Sequence, residues 1–152
     1  MRSMLGAATG ALLALSALSG CSFFDSNLVT ACEKVLKQRL LSPSGYRRVE
    51  VSQLSDKVMT REEYGNYLNK TEKDANARTL YMRLFDELKP TIFSLIITYD
   101  APNAYGTLIR GMSSCDYFDR NGDASTAAYY SVEVDGKSSS DWSHDRVREL
   151  IK

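Results

Sequence analysis

The sequence predicts an α+β domain: an antiparallel sheet of about four strands, an N-terminal helix joined to it by a disulfide, and further helices packed on it. Apolar residues recur at three- and four-residue steps early in the chain, then alternate in several later runs. The resulting order α-β-α-α-β-β-β-α implies an antiparallel sheet with helices against it. Two cysteines, Cys32 and Cys115, fall one in a helical pattern and one in a strand pattern.

Ser26 can cap a helix bearing Leu28, Val29, Cys32, Val35, Leu36 and Leu40, which Ser42-Pro43-Ser44-Gly45 stops. Tyr46 to Leu54 then alternates, with Val49 and Val51 on one face, as a half-buried strand does. Thr60 and Glu63 form a capping box, so a second helix starts at Arg61 with Tyr64, Tyr67 and Leu68 on one side. The stretch from Asn66 to Asn76 is polar enough for a break, and a third helix is expected from about Asp74 to Leu88, before Pro90.

Thr91 to Tyr99 is apolar on both faces, which predicts a central strand covered at least partly on both sides. Asp100 to Gly106 is the connection, and Thr107 to Phe118 returns as the partner strand. After a turn over Asp119 to Ser125, Ala128 to Val134 alternates again, with Tyr130, Val132 and Val134 inward. Ser140 or Ser143 can cap a last helix carrying Trp142, Val147, Leu150 and Ile151. Cys115 shares a strand face with Gly111 and Ser113, whose small side chains leave room for the first helix to cross.

Residues 1 to 20 hold one charge, Arg2, then an apolar run from Leu5 to Leu18 that closes on Leu18-Ser19-Gly20-Cys21. That layout is an export leader ending in a lipobox: an aliphatic residue and two small ones ahead of a cysteine that receives a diacylglyceryl group. Residues 1–20 are expected to be cleaved, 21–26 to form a lipidated tether and 27–152 to form one domain. A plain anchor helix is the weaker alternative, because roughly 20 apolar residues are reached only by running through Cys21. Two or more buried chains on Cys21 suffice for stable anchoring. Ser22 stands where an aspartate would favour inner-membrane retention in enteric Gram-negative bacteria, so the outer membrane, on its periplasmic face, is the expected address.

Without the leader about 130 residues remain, enough for one core. The mature chain carries 18 basic and 19 acidic side chains, interspersed, so nucleic acid is not an expected partner. Committing Cys21 to lipid leaves Cys32 and Cys115 as a pair in an oxidising compartment, where a disulfide is expected. Zinc is the rival, and two thiols plus the single histidine, His144, make a poor ligand set.

The string Leu41-Ser42-Pro43-Ser44-Gly45-Tyr46-Arg47, then Tyr99 to Gly106, then Arg110 and Cys115, resembles a group of small uncharacterised exported proteins and lipoproteins of proteobacteria. The resemblance covers Cys32 to Cys115 and is weaker over Thr60 to Lys89. It implies the paired cysteines and a common hairpin from Asn103 to Arg110, and brings no activity with it.

Asp119-Arg120-Asn121-Gly122-Asp123 offers oxygen ligands at the first, third and fifth positions of an EF-hand-like loop. Ala124 and Tyr130, however, replace its glycine and its bidentate glutamate, so a turn is the expected reading and no metal or cofactor is assigned. His144 between Asp141 and Asp145 could serve a catalytic pair, but acids also suit a helix N-terminus. No nucleophile, base and orienting group assemble from the motifs, and an enzyme is not the favoured reading. Nine tyrosines divide between half-buried sheet positions and a recognition surface. Asn103, Tyr105 and Arg110 form the candidate binding patch. The expectation is a lipid-anchored, non-enzymatic binding or accessory protein of the envelope that touches the membrane through Cys21 and an envelope protein through this patch. The alternative is a small-ligand carrier or enzyme with a pocket near residues 100–110.

Overall fold

A computed structural model describes residues 26–151; the expected leader, residues 1–20, and Cys21 lie outside them. The described chain is an α+β domain with helices α1 (Asn27–Arg39), α2 (Arg61–Thr71), α3 (Ala75–Arg83) and α4 (Ser139–Leu150). Strands β1 (Arg47–Val58), β2 (Thr91–Pro102), β3 (Leu108–Asp119) and β4 (Val132–Val134) form one open antiparallel sheet in the order β1-β2-β3-β4.

Helix α1 begins where its capping chemistry allows: the Ser26 side chain accepts the Val29 N–H, satisfying one of the orphan donors of the first turn. Its apolar stripe, Leu28, Ala31, Cys32, Val35 and Leu36, is buried against Phe93, Leu95 and Ile97 of β2, Cys115 and Tyr117 of β3, and Val132 and Val134 of β4. The Cys32–Cys115 disulfide lies inside this layer, with a Cα–Cα distance of 6.0 Å, in the range a bridge requires. Arg39 fixes the other end of α1, its guanidinium donating to the carbonyl oxygens of Val134, Lys137 and Ser138.

The opposite face of the sheet is covered at one end only. Thr60 and Glu63 form the capping box reciprocally at the start of α2. Tyr64 and Leu68 of α2 then join Met59 in a second buried cluster, with Ile92 of β2 and Phe118 of β3 packed against it. Tyr67 and Phe118 approach to 4.1 Å between ring centroids. The apolar pattern on both faces of β2 therefore corresponds to α1 on one side and the α2–α3 pair on the other.

Several local expectations change. Strand β1 runs to Val58, and its register against β2 shifts between Arg48 and Glu50 and again between Gln53 and Ser55. Each shift inserts one unpaired residue and flips the alternation that follows. Val49 is consequently exposed, and the α1 side of β1 carries Arg48, Val51, Gln53 and Asp56. Helix α3 ends at Arg83, with a turn over 84–87 in place of its expected last turn. Strand β4 starts only at Val132, because a turn places the Ser131 N–H on the Ala128 carbonyl; Tyr130 is exposed, not inward. Helix α4 is capped by Ser138, and Val147, Leu150 and Ile151 remain exposed. Gly111 makes room for a tyrosine of β2 and not for α1: a Cβ there would lie 2.7 Å from the Tyr99 ring.

The disulfide closes a loop with a sequence separation of 83. Cys115→Ala should lower stability by about 4 to 5 kcal/mol in the chain-entropy model, read as a large fall in Tm. Alkylation without reductant should leave both thiols unmodified; ready labelling of Cys32 in the native protein would contradict the bridge.

Candidate functional site

The residues singled out at 41–47 and 99–110 are separated in sequence, and the fold brings them together at one end of the sheet. Pro43–Gly45 forms a single 3-10 turn with proline at its start, where the missing N–H costs nothing. Gly45 then sits directly against Pro102, the last residue of β2; a Cβ on Gly45 would fall 2.4 Å from the proline Cγ. Next in sequence, Tyr46 stacks on Tyr99 with ring centroids 5.7 Å apart. The Tyr46 hydroxyl donates to Glu33 Oε1 of α1 at 2.6 Å, and the Lys37 ammonium lies 4.6 Å from the centre of the Tyr46 ring. Burial, and then the hydrogen bond the hydroxyl donates to the Glu33 carboxylate, push the Tyr46 phenol well above its ordinary pKa. Glu33 also faces the Arg48 guanidinium at 3.5 Å. The turn therefore clasps α1, β1 and the base of the β2–β3 hairpin.

The hairpin tip is a three-residue loop. Asn103 donates its N–H to the Thr107 carbonyl, and Gly106 donates back to the Asn103 carbonyl while adopting φ +79°. A type I turn closed by a glycine in the left-handed region has this form. The Asn103 side chain is used within the loop: its Oδ1 accepts the N–H groups of Tyr105 and Thr107 at 2.9 and 3.0 Å. Arg110 stands opposite Asp100 in the ladder and grips both carboxylate oxygens, at 2.9 and 3.0 Å. That hydrogen-bonded pairing holds the Asp100 carboxyl below its usual range.

Of the three candidate patch residues, then, Asn103 shapes the loop and Arg110 ties the two strands together. Tyr105 is left at the tip, 93% exposed. The structure separates the nine tyrosines clearly. Tyr64 and Tyr117 are core, Tyr46, Tyr67, Tyr81 and Tyr99 are half-buried, and Tyr105, Tyr129 and Tyr130 are exposed. What sequence reasoning missed is the Glu33–Tyr46–Tyr99 stack and the Gly45–Pro102 contact. A glycine directly preceding an aromatic strand start was the available signal for both.

Five concavities lie among the described residues away from the hairpin tip, and none of these five is lined by a residue between 100 and 110. One cavity of about 360 Å³ opens between the first turn of α1 and the middle of the sheet. Its lining includes Val51, Phe93 and Leu95 together with Gln53 and Asp56, which the β1 bulges turn to this side. The Asp119 loop closes as a turn: Asp119 Oδ1 accepts the N–H groups of Asn121 and Asp123. His144 is exposed on α4. No helix among the described residues is long and apolar enough to cross a membrane. Comparison with protein-family models, with curated proteins and with solved structures finds no match for this chain.

Two substitutions distinguish the tip from its base. Tyr105→Ala should change stability by no more than about 0.5 kcal/mol, because a side chain this exposed has little burial to lose. Gly45→Ala should cost about 1 to 3 kcal/mol, since the new Cβ meets a rigid proline ring and the backbone must move. Paired thermal melts check both, and equal effects would contradict the division of roles.

Proposed function

We propose that the chain is an exported lipoprotein, anchored through acyl chains on Cys21 to the outer membrane and facing the periplasm, and that its domain is a non-enzymatic binding or accessory protein of the cell envelope. The observation that carries this reading is the division of the three cysteines. Cys32 and Cys115 are joined and almost wholly buried. Cys21, last in Leu18-Ser19-Gly20-Cys21, is the one thiol left, at the position a lipobox prescribes. A buried disulfide in a small domain also suits an oxidising compartment.

The position of the α1 start supports a direction for such an anchor. Ser26, five residues after Cys21, lines the same cavity as Leu95 near the middle of the sheet, and Asn27 donates to the Ser125 carbonyl in the segment that follows β3. From Leu95 the hairpin runs on to Tyr105, roughly 25 to 30 Å further at strand rise. A short tether would hold the α1 start towards the membrane and present the hairpin tip to the periplasm. Binding through that tip is supported by Tyr105, whose exposed ring supplies apolar area with a polar end, held on a loop that its own hydrogen bonds make rigid.

Metabolic labelling with palmitate tests the anchor. The wild-type chain should incorporate label and Cys21→Ser should lose it entirely. Label persisting on the variant would contradict lipidation at this cysteine. Crosslinking of the anchored protein in envelopes, compared with Tyr105→Ala, then tests the tip, with loss of captured partner as the expected result.

A further inference from the structure

The two long edges of the sheet end differently. The outer strand β1 breaks register with β2 twice and carries Asp56 and Lys57 beyond its second shift. Bulges and charges are the means by which an edge strand resists pairing with another strand. β3 forms the opposite edge for half of its length. β4 pairs only with Cys115 to Tyr117, and Asp135 takes up both backbone groups of Ser114, donating its N–H to the Ser114 carbonyl and accepting the Ser114 N–H on Oδ1. From Leu108 to Ser113 no described residue hydrogen-bonds to the backbone of β3 from that side.

The direction of backbone groups alternates along a strand. Ser114 points its groups at Asp135, so Met112, Arg110 and Leu108 point theirs the same way, into solvent. This stretch lacks the protection seen on β1. Its ladder with β2 runs without a register shift from Thr91↔Asp119 to Pro102↔Leu108, and Leu108, Ile109 and Met112 are 51, 53 and 72% exposed.

We propose that this edge pairs with the same edge of a second copy, antiparallel about a two-fold axis at Arg110, joining two sheets into one. The proposal goes beyond the anchoring reading and does not depend on it. Antiparallel pairing of one strand with itself lets every outward N–H and carbonyl of Leu108, Arg110 and Met112 find a partner, and it closes after two copies. The same axis sets Leu108 against Met112 of the other copy twice, and Ile109 against Gly111 twice, giving apolar cross-strand pairs. Arg110 meets its counterpart, which bare like charges would oppose. Each guanidinium is already held bidentately by Asp100, so the row across the axis reads acid, base, base, acid and carries no net charge. The chain as a whole has 19 basic and 19 acidic side chains, so two copies do not repel at long range. Five paired residues a side make an interface smaller than the roughly 1,200–2,000 Å² of a standard complex, so the dimer population follows concentration.

Crosslinking of the full chain in its own membranes through one introduced cysteine, with the unsubstituted chain as the control that should yield no double-mass species, tests this. Arg110→Cys lies on the axis and should yield a species of twice the chain mass under mild oxidation; Met112→Cys, treated with a short bis-maleimide, should do the same if loss of the Arg110 clamp perturbs folding. Tyr130→Cys, exposed but off the β3 edge, should yield little. Adding Met112→Lys to Arg110→Cys should reduce the product by about fivefold or more, since a charge on each copy is brought into the pairing. Absence of the double-mass species from both edge variants, or equal yield from Tyr130→Cys, would overturn the proposal. A crosslinked product of any other mass would overturn it too, by showing that another protein's strand covers the edge. Palmitate labelling is unaffected by any of these results, so failure here and failure of the anchoring reading are separable.

Discussion

One covalent bond decides how this small domain holds together. The sheet has a single well-covered face, and the helix that covers it is the first element of the described chain, 83 residues from the strand it must reach. Closing so long a loop is entropically expensive in the unfolded chain. The Cys32–Cys115 bridge removes much of that cost, and the apolar stripe of α1 then buries Phe93, Leu95 and Ile97. Arg39 and the Glu33 network work on the helix once it is placed, the first fastening its end to the β4–α4 turn and the second to Tyr46 and Arg48. Without the bridge these polar contacts would have to position α1 alone, and partly exposed ion pairs contribute little.

The hairpin base illustrates how sequence-distant strings become one piece of structure. Gly45 is needed because Pro102 lies where its side chain would be, and Gly111 because the Tyr99 ring does. Tyr99 is held in turn by Tyr46. Each small residue therefore answers to a ring or a proline from another strand, and the end of the sheet furthest from Ser26 is stiffened by side-chain packing. Tyr105 therefore stands exposed on a loop whose shape is set by the Asn103 hydrogen bonds and whose base is packed.

The fold class, the capped start of α1, the capping box of α2, the central position of β2 and the disulfide were legible because each rests on a local rule: period, cap chemistry or cysteine pairing. The parts that were not legible depend on tertiary context. The bulges of β1 are backbone insertions that composition does not announce, and they expose Val49 while turning Gln53 and Asp56 towards the α1 side. Tyr130 looked inward because alternation was extended through a turn that Ser131 closes. At the candidate site, Tyr105 was readable as a loop-tip aromatic. The tasks of Asn103 and Arg110 required the ladder register that sets Arg110 opposite Asp100.

Anchor and bridge together make a single statement about the three cysteines, and intact mass measurement of the protein purified from membranes without reductant tests it most directly. The chain should begin at Cys21, heavier than its mature sequence by a diacylglyceryl group and a third acyl chain and lighter by the two hydrogens lost in joining Cys32 to Cys115. A mass equal to the full 152-residue chain, with three free thiols after alkylation, would contradict it.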